Sequence, residues 1–367
     1  APADGGLAVS APEAQPEPGL LPVAAERDAL QAAYPELHER LPRVTLGRWP
    51  TAIEHLPGLL PADVELWVKR DDQAGTLYGG NKMRKLEYLL AGLAPGARVI
   101  TSGGHGSHHV LATTLYGRAR GLTVAAVLYP QPTTARVRDT LRCDVAAGAQ
   151  LFPARSYLGV PWQALRALRA SARTPTHLIT PGGSSPLGTL GWIAGGLEIA
   201  AQVAAGAAPR FDAVYAALGS GGTVAGLWLG LGAATEALVA VPVVPALVGN
   251  RAVVALLAYR AQRLLRSHVP GAPALPPRPR LVLRRGFLGG GYGHVTTEAT
   301  EAEARAAACG LAVEPTYTGK VLAALLADAR AGRLAGKRVL FLHSYNGHDL
   351  AGLLTAAPAR LPAPWSE

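Results

Sequence analysis

Five lysines stand against thirty arginines in this chain of 367 residues, and Lys69, Lys82 and Lys85 fall in one short segment. Arginine keeps its charge, whereas a lysine can lose its proton and become a nucleophilic amine able to form a Schiff base. Lys82 follows the turn-forming Gly79-Gly80-Asn81 and opens a helical run. The positive end of that helix, with Arg84 and Lys85 nearby, is expected to lower its pKa. A solvent-exposed lysine at a helix start has the same local signature, so the residues alone leave both readings open.

A second candidate is Gly219-Ser220-Gly221-Gly222-Thr223, between the apolar run Phe211 to Leu218 and a helical run Val224 to Leu231. Backbone N–H groups and a helix dipole at such a junction make an anion site. Val224 stands where a dinucleotide fingerprint needs its third glycine, and no Lys-Ser/Thr pair follows to make a nucleoside-triphosphate loop. A lone phosphate monoester fits better, and a tight turn with no ligand is the other reading. Tyr292 and Tyr317 lie in Gly291-Tyr292-Gly293 and Glu314-Pro315-Thr316-Tyr317-Thr318-Gly319-Lys320, where a phenol is either a proton shuttle or a packed ring. His105, His108 and His109 have the i, i+3, i+4 spacing of a metal cluster, but no carboxylate or thiol lies nearby in sequence, and no metal is expected.

Short apolar stretches must position these residues. Val64 to Val68, Ala97 to Thr101, Leu122 to Tyr129, His177 to Thr180, Phe211 to Leu218 and Lys337 to His343 read as strands. They alternate with helical stretches Lys85 to Leu93, His109 to Arg120, Trp162 to Ala172 and the run after Gly188. The rhythm predicts an α/β protein with two open parallel sheets, the second starting at Phe211, and a cleft between them. A flexible tail over residues 1–24 is expected, then a short amphipathic helix around Glu26 to Glu39. His268 to Arg280, with five prolines, reads as a loop.

The composition, 49% hydrophobic and 16% charged, excludes disorder. The net charge of +10 is spread along the chain without a basic block, and aromatics are only 6%, so no nucleic-acid partner is expected. No run of eighteen apolar residues points to a membrane, and the N-terminus has no basic or apolar leader pattern. Two cysteines, Cys143 and Cys309, are too few for a disulfide framework. A soluble cytoplasmic protein is the resulting expectation.

Taken together, from about Pro42 to about Gly352, the segments resemble the family of D-cysteine desulfhydrase and 1-aminocyclopropane-1-carboxylate deaminase. The most specific part is Gly79-Gly80-Asn81-Lys82-x-Arg84-Lys85-Leu86-Glu87; Gly182-Gly183-Ser184-Ser185-Pro186-Leu187-Gly188 also matches. The resemblance implies the tryptophan-synthase-β-like fold, fold type II of pyridoxal 5'-phosphate enzymes. It also implies a large cofactor-binding domain over 25–86 plus 181–367, a small substrate-loop domain over 87–180, and a homodimer. By resemblance Lys82 is the Schiff-base partner, Asn81 contacts the ring hydroxyl, Gly219, Ser220, Gly221, Gly222 and Thr223 bind the phosphate, and Tyr292 and Tyr317 face a small amino-acid substrate.

Thr318 stands where the family's deaminases carry a glutamate that protonates the pyridine nitrogen. A hydroxyl there implies a weaker electron sink, sufficient for β-elimination from D-cysteine to pyruvate, ammonia and sulfide. The chain departs from the family at Gly106-Ser107-His108-His109, where Gln-Ser-Asn-His is usual and the substrate carboxylate is held. It departs again at His343-Ser344-Tyr345-Asn346-Gly347, where His-Thr-Gly-Gly is usual. Ser107, His108 and His109 are therefore the expected substrate contacts, with Tyr345, Asn346 and Tyr78 reshaping the wall. The alternatives are a ring-opening deaminase, a sulfo-lyase, a β-replacement enzyme on another β-substituted amino acid, and a non-catalytic cofactor-binding protein.

Overall fold

The computed structural model describes residues 26–170, 173–358, 361 and 364–365, so the expected tail over 1–24 lies outside the described residues. Ten strands form two sheets. The larger contains β1 (Ile53–His55), β2 (Glu65–Lys69), β7 (Phe211–Leu218), β8 (Thr235–Pro242), β9 (Arg280–Leu283) and β10 (Arg338–Leu342), in the order β1-β2-β10-β7-β8-β9. Only β1 runs antiparallel to its neighbour. The smaller contains β3 (Arg98–Gly104), β4 (Thr123–Tyr129), β5 (Gln150–Pro153) and β6 (Thr176–Leu178), all parallel, in the order β5-β4-β3-β6.

Parallel sheets are covered on both faces, which explains the near-continuous apolar runs. From Ala213 onward the period of two splits β7: Val214, Ala216 and Leu218 join one core, while Ala213 and Tyr215 join another. Leu340 and Leu342 of β10 face the first core, and Val339 and Phe341 the second. The first is completed by α7 (Pro186–Ala204), α8 (Gly222–Gly230) and α9 (Arg251–His268), the second by α10 (Thr297–Ala308) and α11 (Thr318–Arg330). On the small sheet, α4 (His108–Ala119) and α5 (Ala135–Ala146) cover one face and α6 (Val160–Arg169) the other, while α12 (Ala351–Ala356) returns to pack on α5.

Two expectations are corrected. The second sheet does not start at Phe211, because β2 already belongs to it, joined to β7 through β10. The helix around Glu26 to Glu39 is broken into α1 (Ala29–Ala33) and α2 (Leu37–Arg40). Pro35 lies in the break; its ring restricts Tyr34, which sits at φ −132°, ψ 78°. The nineteen-residue α7 is long and apolar enough to cross a membrane, yet it packs between α3 (Lys82–Leu89) and α8, and its Glu198 is ion-paired to Lys69 and Arg84. That is the behaviour of a core helix.

Candidate active site

The carboxyl ends of β3, β7 and β10 point into one cleft, the place where open parallel sheets bind ligands. Their exits carry Gly104 to Ser107, Gly219 to Gly222, and His343 to Asn346. The resulting cavity of about 610 Å³ brings together Asn81, Lys82, Ser107, His108, His109, Gly219, Ser220, Gly221, Thr223, Tyr292, Tyr317 and Thr318. Of the expected catalytic, cofactor-binding and substrate-binding residues, Gly222 alone is not on this wall. Its N–H instead donates to Ser184 Oγ at 3.0 Å, behind the loop.

Lys82 heads α3, and Gly80 sets its entry with φ +88°, a left-handed conformation suited to glycine. A Cβ on Gly80 would lie 2.5 Å from the Ser344 carbonyl oxygen, so the β10 exit and the lysine loop are packed backbone to backbone. Asn81 N donates to that same Ser344 oxygen at 3.1 Å, and Asn81 Nδ2 donates to Thr223 Oγ1 at 3.2 Å. The Lys82 amine is pushed down to about 8 by burial, against the opposing pull of the Glu314 carboxylate. Arg84 was expected to contribute and does not. Its guanidinium is bound by Asp71 at 2.7 and 2.9 Å and by Glu198 at 2.9 Å, which neutralises it.

The junction after β7 has the form of an anion cradle. Gly221, at φ +93°, turns the chain into α8, whose N-terminus lies at the cleft wall beside Gly221 and Thr223. Ser184 Oγ and Ser220 Oγ are 2.7 Å apart beside it. Lys85 Nζ donates to Gly182 O at 2.9 Å and Ser184 Oγ at 3.1 Å. Burial, then Lys82, holds the Lys85 amine well below the usual lysine range. Two desolvated amines beside a helix N-terminus call for an anion, and one of them can condense with an aldehyde; a phosphate monoester bearing an aldehyde fits both. Lys85 as a cradle cation was missed in sequence, although its i, i+3 spacing from Lys82 puts both on one helix face.

Glu314 was also missed as a functional group. Its Oε1 accepts from Tyr317 N at 2.6 Å and Thr318 N at 2.9 Å, and its Oε2 from Thr316 N at 2.7 Å, capping the start of α11. Thr318 Oγ1 accepts from Glu314 N at 3.0 Å while Thr318 lines the cavity. Opposite, Tyr292 and Tyr317 share a hydrogen bond of 2.8 Å between their hydroxyls. Burial pushes Tyr292 up to about 12 and Tyr317 well above the usual phenol range, so both remain protonated at neutral pH.

The three histidines diverge. His105 packs edge-on against Trp365 at 5.4 Å, and His108 Nδ1 meets Tyr78 Oη at 2.5 Å with Tyr345 edge-on at 5.2 Å. His109 Nε2 lies 2.9 Å from Thr101 Oγ1, whose own proton goes to Ile179 O at 2.9 Å. The His109 nitrogen must therefore be the donor, which pins α4 to β3. Ser107 Oγ caps α4 by accepting from Val110 N at 3.4 Å. Asn346 Oδ1 accepts from Gly79 N at 2.7 Å, tying the β10 exit to the lysine loop.

Residues 44–344 match the family described as pyridoxal-phosphate dependent enzyme. A protein of Pyrococcus horikoshii, named provisionally as a 1-aminocyclopropane-1-carboxylate deaminase, is 34% identical over 318 residues, covering 83% of this chain and 92% of its own. A D-cysteine desulfhydrase of Salmonella paratyphi C is 32% identical, covering 83% and 94%. A crystal structure titled as an ACC deaminase homologue superposes with a TM-score of 0.70 at 28% identity, covering 90% of this chain and all of the other. The fold is fold type II, and the chain belongs to the pyridoxal-phosphate-dependent enzymes, in the family of 1-aminocyclopropane-1-carboxylate deaminase and D-cysteine desulfhydrase.

Proposed function

We propose that the chain catalyses β-elimination from a small amino acid, of the D-cysteine desulfhydrase type, releasing pyruvate, ammonia and sulfide. The observation that carries this reading is Thr318. It presents a hydroxyl at the position where a deaminase needs a carboxylate, and the nearest carboxylate, Glu314, is spent on three backbone N–H groups. Lys82 would hold the cofactor covalently, Asn81 would contact its ring hydroxyl, and Gly219 to Thr223 with Lys85 would hold its phosphate. The bound cofactor supplies a sink for the electron pair left at the substrate's Cα.

With a pKa near neutrality, Lys82 Nζ is suited to take the α-proton once the substrate amine has displaced it. The joined hydroxyls of Tyr292 and Tyr317 would protonate the departing sulfur. Ser107 and the first N–H groups of α4 would receive the carboxylate, with the His108 and His109 imidazoles beside it. The lobes carrying these groups are residues 25–86 plus 181–367 and residues 87–180. A homodimer in a reducing cytoplasm completes the proposal.

The test is Lys82→Ala examined with a panel of D- and L-amino acids. Borohydride-stable attachment of pyridoxal phosphate and pyruvate release should both vanish in the variant. Pyruvate from D-cysteine should be the wild-type product, whereas 2-oxobutanoate from 1-aminocyclopropane-1-carboxylate would assign ring opening instead.

A further inference from the structure

Beside the main cavity lies a second chamber of about 440 Å³, and His108, Tyr292, Glu314, Tyr317 and Tyr345 line both. A sulfhydryl group needs almost none of this space; the volume is that of a pocket for a substantial organic group. Its walls are apolar where Val137 and Cys143 of α5 face Leu311, Val313 and Leu354. At the rim Arg136 of α5 is ion-paired to Glu303 of α10, across the gap between the lobes.

Polar groups interrupt that wall, Thr134, Asp139, Thr140, Thr316 and Gln131 among them. Gln131 lines this chamber, and its Oε1 is buried with no hydrogen-bond partner among the described residues. A buried carbonyl without a hydrogen bond is unfavourable, so it is a place where a donor is wanted. The side chain fits only because glycines surround it. A Cβ on Gly104 would lie 2.1 Å from Gln131 Oε1, and one on Gly106 would lie 2.9 Å from Gln131 Nε2 and 2.9 Å from Val137 Cγ2. Gly106 is the position where the family usually has glutamine. In this chain an amide comes from Gln131, on the strand exit across from it, with its Oε1 packed against Gly104 and its Nε2 against Gly106 while the residue lines the chamber.

We infer that the chamber is a subsite for the β-substituent of the substrate, and that this enzyme takes β-substituted amino acids whose substituent is an extended apolar arm ending in a hydroxyl or N–H. Cys143, Val137 and their partners bury the arm, and Gln131 Oε1, turned from Gly104 into the chamber by a side-chain rotation, accepts its terminal proton. This rests on the elimination reading only for the fate of the arm, since the binding itself involves no bond breaking.

The holoenzyme is titrated calorimetrically with α-methyl cysteine derivatives, which have no α-proton to lose, in both enantiomers. The S-methyl, S-benzyl and S-(4-hydroxybenzyl) compounds form the series. The benzyl compound should bind about tenfold tighter than the methyl one. The added hydroxyl should give roughly a further fivefold. Gln131→Leu should abolish the hydroxyl increment and keep the benzyl one, while Cys143→Phe and Thr140→Leu, which fill the chamber from α5, should each remove the benzyl increment. Equal affinity for the methyl and benzyl compounds overturns the inference, as does a benzyl increment that survives in the filled variants. Pyruvate release from unsubstituted D-cysteine is followed in parallel. Affinity increments without elimination would leave the chamber standing and remove the elimination reading; elimination without increments would do the reverse.

Discussion

The reactivity of Lys82 is set by burial, and this makes its titration a quantitative test. With the amine at about 8, ~10% is unprotonated at pH 7, against about one in three thousand for an ordinary lysine near 10.5. The apoprotein should therefore take up pyridoxal phosphate at neutral pH on the order of 300-fold faster than an exposed lysine would allow. The Glu314 carboxylate opposes burial at Lys82, so Glu314→Gln should move the titration further down while leaving an amide oxygen to cap α11. The assay is reconstitution of apoprotein from pH 6 to 11, quenched with borohydride, with the modified peptide identified by mass spectrometry. Pyridoxal phosphate reacting with a simple alkylamine serves as the control for the cofactor's own ionisations. Half-maximal rate near pH 8 is expected for the wild type and a lower midpoint for the variant. A wild-type midpoint above pH 10, or attachment at Lys85, would refute the reasoning.

Two further predictions concern the scaffold. Glu198 accepts from Lys69 at 2.6 Å and from both terminal nitrogens of Arg84 at 2.9 Å; burial pushes its carboxyl up, but Arg84 and Lys69 outweigh that and bring it down to about 2. Since this lies below the ~4.3 of a free glutamate, the stabilisation is present above that pH and lost as pH falls toward 2. It amounts to about 3 kcal/mol. Glu198→Gln should flatten the acid limb of urea-unfolding stability against pH and cost about 3–5 kcal/mol at pH 7 by stranding buried cations; an unchanged limb would contradict it. Gly80→Ala should cost about 1–2 kcal/mol from its positive φ alone, more from the contact with Ser344 O, and should weaken cofactor retention on gel filtration, because Asn81 hangs from the same oxygen.

The strands that the sequence announces are mostly the central ones, because a strand buried on both faces must be largely apolar, as β4 and β7 are. Three of the four edge strands were not legible, the exception being Thr176–Leu178, announced as His177 to Thr180. Ile53–His55, Gln150–Pro153 and Arg280–Leu283 are three or four residues long and partly exposed, so they bury too little to imprint a pattern. Thr235–Pro242 was missed although it is central and largely buried, because it follows α8 and a short turn with no polar break to mark its start. Strand order was unreadable for another reason: β10 inserts between β2 and β7, pairing Leu340 with both Trp67 and Val214, and nothing local in a strand encodes a neighbour so distant in the chain.

At the site the same division holds. Lys82, the glycine loop and the tyrosines were legible because backbone geometry and reactivity restrict which residue types can stand there. The causes acting on them were not. Arg84 lies two residues from Lys82 yet is silenced by Asp71 and Glu198, partners from another turn and another helix, and burial does the work that local charge was expected to do. The departures behave likewise. Gly106 looks in sequence like a lost glutamine, but a missing Cβ is also room, and only the fold shows that Gln131 uses that room. A substitution at a motif position thus carries two meanings, a side chain removed and a space opened. When the opened space adjoins the reacting centre, the second meaning is the one that bears on substrate choice.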